Sequence, residues 1–317
     1  GIECDGKAML IDGGEASESS KVYAYLKKSG VDHLNYIVAT HAHSDHIGGL
    51  SGALNYASVD TALCPVTSYD SKTFSSFTKY LGQQGASIAV PEPGDIFSLG
   101  SASVIILGPQ RSYEDTNDTS IVMKVVYGKT SFLFTGDAER TAEADILDAG
   151  YNLSATVLKV GHHGSATSSS ANFLKKVDPT YAVISCGMGN KYGHPTDEVL
   201  ERLNSRNIEV FRTDLQGTIV FTSDGKNISV DKQPSVYQPP VQTIAATTQP
   251  TVQTTIQTTA EEVQPIGTQY ILNTNTKKIH HPSCSAVKQM KDKNKAYTED
   301  FDGAVASGYV PCKKCNP

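Results

Sequence analysis

Residues 34–49 read LNYIVATHAHSDHIGG: an apolar strand-like run (34–40), then His41, Ala42, His43, Ser44, Asp45 and His46, then Ile47, Gly48 and Gly49. Four metal-capable side chains within six residues converge only where the backbone turns sharply at a strand end. The glycines permit that turn, and a helix expected to start about Gly48 presents its N-terminus there. Imidazoles with a carboxylate suit zinc, manganese or iron. The alternative is a surface histidine cluster, which a strand-to-helix junction disfavours.

Working outward, short β-like runs alternate with amphipathic helical stretches from Lys7 to Val230. Strands are expected at 8–12, 34–40, 59–64, 155–160, 181–186, 208–211, 217–222 and 227–231. Helices are expected near 16–29, from about 48, and at 71–84, 139–149, 170–177 and 196–205. Consecutive strand-like runs from SIAV (87–90) through ASVIIL (102–107) and SIVMKVVY (120–127) to TSFLFTGD (130–137) predict antiparallel pairing. The outer units read as βα repeats, and a mixed sheet covered by helices fits the whole pattern.

Polar residues recur where these strands end. FLFTGD (132–137) delivers Asp137, VLKVGHHGS (157–165) delivers His162 and His163, and AMLID (8–12) delivers Asp12 before Gly13 and Gly14. Singly, each reads as a turn residue or helix cap. Together they point to one shared site at a sheet edge. His194, in KYGHP (191–195), is either a further member or an exposed loop histidine.

The segment HAHSDHIGG resembles the HxHxDH signature of the metallo-β-lactamase superfamily. With NDTSIV, FTGD, LKVGHHGSATSSS, YGHP and RTDLQGTI, residues 7–231 are similar to the soluble domain of ComEC-type competence proteins. The resemblance implies a four-layer αββα sandwich with a mono- or dinuclear site at one edge. It implies a metal-dependent hydrolase holding one or two divalent metals, zinc or manganese, with phosphodiesters of DNA as the substrate class. By motif, His41, His43, Asp45 and His46 would be ligands, Asp137 would bridge two metals, and Asp12 would orient a ligand imidazole. The chain departs from the family at its start, where the usual opening strand is missing and an N-terminal truncation or processing is expected. It also has no histidine between His46 and His162, so His162, His163 or His194 is expected to complete the site.

In such a site Asp45 would help orient a water whose pKa a metal lowers to ~7. Whichever of His162 and His163 does not bind metal would protonate the leaving oxygen. Lys159, Lys191 and Arg212 are candidate phosphate contacts, with solvated surface charges as the alternative.

The composition changes at Gln233. Residues 233–266 are rich in Thr, Gln, Pro and Val and are expected to form an extended linker between a body (1–232) and a small module (267–317). Thr/Pro-rich linkers of this kind suggest an exported or cell-surface protein. The body carries 19 Lys and Arg against 27 acids, whereas residues 266–317 carry 8 Lys against 4 acids. A basic tail on an acidic body would grip an anionic polymer, or would be a solvated lysine face. No apolar stretch approaches the ~18 residues of a membrane span.

His280, Cys284, Cys312 and Cys315 crowd that tail, which has too few large apolar residues to fold on its own core. A structural zinc on these four would supply the missing stability, a disulfide among the cysteines being the alternative. Residues 270–317 resemble the metal-binding domain of the Ada DNA-repair protein, with His280 where that pattern has its first cysteine. In the resembled domain that cysteine accepts a methyl group. Histidine cannot, so zinc-structured binding is expected without methyl transfer. Eight lysines make nucleic acid the favoured partner, with a cell-wall polymer as the other. The resulting expectation is an exported nuclease or phosphodiesterase tethered to a DNA-binding zinc module. The competing expectations are a phosphorylcholine esterase-like or lactamase-like hydrolase, and a non-catalytic binding protein on the same scaffold.

Overall fold

In the computed structural model, strand Lys7–Ile11 sends Ala8 and Leu10 into one apolar cluster and Met9 and Ile11 into another. Strand side chains alternate between faces, so a strand apolar on both sides needs a cover on each. The strand Ala102–Gly108 has the same property: Val104 and Ile106 enter the second cluster, Ile105 and Leu107 a third. The shared middle cluster lies between two sheets, and the two outer clusters lie beneath helices. The result is the expected four-layer αββα sandwich. The structure describes residues 1–237 and 270–315, apart from 283, 289, 299 and 300.

The first sheet runs in the order β1 (Ile2–Cys4), β2 (Lys7–Ile11), β3 (His33–Val38), β4 (Ser58–Leu63) and β5 (Ile88–Ala89). Only the β1–β2 pairing is antiparallel. Its outer face is covered by α1 (Ser19–Ser29), α3 (Leu50–Leu54) and α4 (Lys72–Gln83), with α2 (Ser44–Ile47) before α3. The second sheet holds β6 (Ile96–Leu99), β7 (Ala102–Gly108), β8 (Val122–Tyr127), β9 (Thr130–Phe134), β10 (Val157–Lys159), β11 (Tyr181–Ile184) and β12 (Glu209–Arg212), neighbours in chain order. It is antiparallel from β6 to β9 and parallel from β9 to β12. Helices α5 (Arg140–Asp148), α6 (Ala171–Val177) and α7 (Asp197–Asn204) cover it, and the fully buried Phe173, Leu174 and Leu203 pack beneath them. The short α8 (Thr213–Gln216) and a hairpin of β13 (Phe221–Ser223) and β14 (Ile228–Val230) follow.

Three local expectations are corrected. The run SIAV does not join the antiparallel set; its strand β5 pairs parallel with β4 in the first sheet. Strand β6 appears where none was expected, an edge strand with Ile96 exposed, which hides its pattern. At the start, Ile2–Cys4 forms a hairpin with β2 through Asp5 and Gly6, both at positive φ, a turn that an Asp-Gly pair favours.

The chain divides into two units, Gly1–Val241 and Gln242–Pro317. Of the segment expected as a linker, residues 233–237 return toward β12, where Ser235 N–H donates to Val210 O at 2.7 Å. Its remainder lies outside the described residues. In the second unit, β15 (Tyr270–Asn273) and β16 (Lys278–His280) form a four-stranded sheet with β17 (Lys295–Thr298) and β18 (Val310–Pro311), in the order β17-β15-β16-β18. Helices α9 (Ser285–Lys288) and α10 (Phe301–Ala306) accompany it. Among its described residues the buried apolar groups are few: Ile271 and Val287 with Cys284 and Cys312, and Leu272, Ile279 and Ala304. Among the described residues, no helix is long and apolar enough to cross a membrane.

Candidate metal centre

The loop after β2 is zipped to the loop after β3. Gly13 N–H donates to His46 O at 2.7 Å, and Gly49 N–H donates to Gly14 O at 2.9 Å. The backbones approach so closely that a Cβ on Gly13 would stand 2.5 Å from Leu50 N, so glycine is required by contact. Helix α2 is a single turn begun by His43 in extended conformation, with the N–H groups of His46 and Ile47 on His43 O. That turn carries Asp45 and His46 inward.

Three imidazoles then aim at one carboxylate oxygen. His46 Nε2, His163 Nε2 and His162 Nε2 lie 3.2, 3.4 and 3.8 Å from Asp137 Oδ2. In each ring the other nitrogen is anchored by a group that can only accept. His46 Nδ1–H donates to Asp12 Oδ2 (2.8 Å), His163 Nδ1–H to Ser185 O (2.7 Å), and His162 Nδ1–H to Glu139 Oε1 (2.9 Å). Asp12 is itself held by Thr40, whose N–H and hydroxyl each donate at 2.8 Å. His162 and His163 both adopt left-handed φ, 46° and 54°, which turns the two adjacent rings toward Asp137.

Asp45, His46, Asp137 and His163 bring their ligand atoms within 4.8 Å of one another. Asp137 is buried, and its Oδ1 has no hydrogen-bond partner, an arrangement that costs free energy unless a cation or donor arrives. This donor set fits a divalent metal. His41 and His43 face each other at 3.0 Å beside this quartet and outside it. His194 stands further out, its ring 5.6 Å from that of His162.

The electrostatics follow from burial and these partners. Burial alone would lower His46, but the carboxylates of Asp12 and Asp137 outweigh it and hold the imidazole up at about 10. His163 is likewise held at about 9, burial being outweighed by Asp137 and Asp45. Burial and the His46 charge push His41 down to about 3. The hydrogen bond from His163 holds Asp45 well below the usual carboxylate range.

Of the three cations considered for phosphate, two have protein partners. Lys159 lies behind the site with Nζ on Val160 O at 2.8 Å, and Arg212 clasps Asp214 at 2.6 and 3.1 Å. Lys191 is exposed. Four groups escape sequence reading. Glu139 precedes α5 as its cap and looks like an ordinary helix start. Ser120 donates no visible motif, yet its Oγ accepts the Asp137 N–H at 2.9 Å. Thr40 and the Ser185 carbonyl act only through partners distant in sequence.

In the second unit, His280, Cys284, Cys312 and Cys315 likewise gather within 4.8 Å, the first three buried. His280 Nε2 is buried without a partner, and Cys312 sits before the turn that carries Cys315. No disulfide joins these cysteines. One imidazole and three sulfurs suit tetrahedral zinc.

A family model described as the metallo-beta-lactamase superfamily matches residues 2–188, and one described as the metal binding domain of Ada matches residues 259–317. ComE operon protein 3 of Bacillus subtilis (strain 168) is 29% identical over 232 residues, 68% of this chain and 30% of that protein. Competence protein ComA of Neisseria gonorrhoeae is 33% identical over 222 residues, 67% of this chain and 29% of that protein. Recombination protein 2 of Haemophilus influenzae is 30% identical over 224 residues, 68% of this chain and 26% of that protein. The chain thus spans less than a third of the length of these relatives.

Proposed function

The chain belongs to the metallo-beta-lactamase superfamily of metal-dependent hydrolases, and from that premise we propose that it cleaves phosphodiester bonds of DNA, outside the cell or at its surface. The observation that carries this reading is the division among the imidazoles. His163 belongs to the quartet with Asp45, His46 and Asp137, whereas His162 is aimed at the same carboxylate but tied to Glu139. Phosphodiester cleavage needs both functions, because the leaving alkoxide requires a proton.

Asp45, His46, Asp137 and His163 would hold one divalent cation, and His41 and His43 would contribute to a second; bound there, the metals would supply Lewis acidity and lower the pKa of water to ~7. Asp45, a member of the quartet, would orient the attacking water. By accepting the Nδ1 protons, Asp12 and Ser185 leave Nε2 as the nitrogen of His46 and His163 that would face a cation, its proton given up on binding. Glu139 fixes the His162 ring so that its Nε2–H can be given to the leaving oxygen, which is general acid catalysis. Lys191 meets the substrate phosphate.

The printed names of the relatives, competence and recombination proteins, support DNA as the polymer. The tail supports it too, with its excess of lysine on an Ada-like zinc module. The Thr/Pro-rich composition of residues 233–266 supports an exported location.

The test is to incubate purified protein with labelled single- and double-stranded DNA, with and without manganese or zinc. Cleavage that depends on metal is expected, and Asp137→Ala and His43→Ala should each abolish it while the circular dichroism spectrum stays that of the parent. Near wild-type cleavage in either variant overturns the reading.

A further inference from the structure

Beside the centre, residues 187–194 form a loop built around one amide. Asn190 Oδ1 accepts the N–H groups of Tyr192 (3.2 Å) and His194 (3.0 Å). Its Nδ2 donates to Gly187 O (3.0 Å) and to His194 O (2.5 Å). Gly189 and Gly193, both at left-handed φ, supply the bends. A loop tied this way presents its side chains in a set arrangement.

What it presents is an aromatic ring in water. Tyr192 is 67% exposed, and one of its faces is stacked on His194 with centroids 5.8 Å apart and planes at 25°. His194 meets His162 edge-on at 5.6 Å, so Tyr192 stands two ring contacts from the imidazole aimed at Asp137. Lys191 Nζ lies 5.0 Å from the Tyr192 centroid. Met188, 84% exposed, belongs to the same loop. Exposed rings with an adjacent cation, held at the mouth of a site, are what proteins use to stack unpaired bases while meeting the backbone phosphate.

We propose that Tyr192 and Lys191 form a stacking platform for one unpaired nucleobase next to the scissile phosphodiester. The platform selects single-stranded or frayed nucleic acid over intact duplex, because both faces of a base inside a duplex are covered by its stacked neighbours. The inference rests on the phosphodiesterase reading for the reaction, but its own test is binding.

The chain contains no tryptophan, so Tyr192→Trp in the full-length protein places a single indole at the platform. Tetrathymidylate should quench its fluorescence saturably, and an abasic deoxyribose-phosphate tetramer should not. In cleavage assays, Tyr192→Ala should raise KM for tetrathymidylate roughly tenfold or more, and Tyr192→Trp should keep it near the parent value. An unquenched indole, equal quenching by the abasic tetramer, or equal KM values for the Ala and Trp variants overturns the platform. Quenching without turnover of any phosphodiester keeps the platform and removes the phosphodiesterase reading. Turnover without quenching does the reverse.

Discussion

Asp12 Oδ2 lies 2.8 Å from His46 Nδ1, although the two are 34 positions apart in the chain. The contact exists because β2 and β3 are parallel neighbours whose ends open on the same edge, and because Gly13 lets the two loops touch. It decides which nitrogen of His46 faces Asp137, and so it prepares a ligand before any metal arrives.

Removing that support should loosen the metal. Asp12→Ala should weaken metal affinity of the body about 10–100-fold, measured by competition with a chelating dye. Asp12→Asn, which keeps an acceptor, should lose less. An unchanged affinity in the alanine variant would mean that packing alone orients His46.

The loop contact itself should be as sensitive. Gly13→Ala drives a methyl group onto the backbone at Leu50 and should destabilise the body by about 1–3 kcal/mol, read by denaturant unfolding. Parent-like stability would show that the two loops can part without cost.

The pH dependence of chelator-stripped protein follows from the raised imidazoles. His46 is held up at about 10 and His163 at about 9, against ~6.5 in an unfolded chain. Their stabilisation is complete below ~6.5 and drains away as pH rises toward those folded values. His41, already neutral above pH 7 in both states, adds nothing in that window. The Tm of stripped protein should therefore fall between pH 7 and 10, and metal binding at pH 7 should release protons, detectable by calorimetry in buffers of different ionisation enthalpy. A flat Tm over this range would refute the charged His46 between its two carboxylates.

The tail should bind one zinc of its own. Cys312→Ser should lower the zinc content by one ion per chain, and His280→Cys should leave it unchanged, since a thiolate replaces an imidazole in a tetrahedral site. Metal analysis after mild dialysis decides this. An undiminished zinc count in Cys312→Ser would rule out the His280, Cys284, Cys312, Cys315 set.

Charge asymmetry predicts a division of labour. Removing residues 238–317 should raise KM for long DNA and make its salt dependence shallower, because fewer counterions are released on binding. Turnover of a small chromogenic phosphodiester should stay the same. Equal KM and equal salt slopes for the two forms would point the tail toward a cell-wall polymer.

The HAHSDH run, the TGD turn and the HHGS turn were legible in the sequence because each sits at the end of an apolar run, and strand ends are marked by local pattern. The same locality made the layers legible: Ala8 to Ile11 alternate between two covers whether or not the partners are known. The tail ligands were legible by spacing and by the lack of a core to replace them. What neighbouring residues cannot encode is which side chain a ring turns to. His162 and His163 are adjacent and chemically identical, and only the folded chain separates them, giving one to Glu139 and the other to Ser185 O. Arg212 is a candidate phosphate contact by sequence, but in the fold its guanidinium is taken by Asp214, and only the folded loop sets Tyr192 in line with His194 and His162. Spacing along the chain carries the kind of chemistry, since ligand types and strand ends are local. The assignment of roles depends on distances between residues far apart in sequence, and those distances come into being only when the sheets and loops pack.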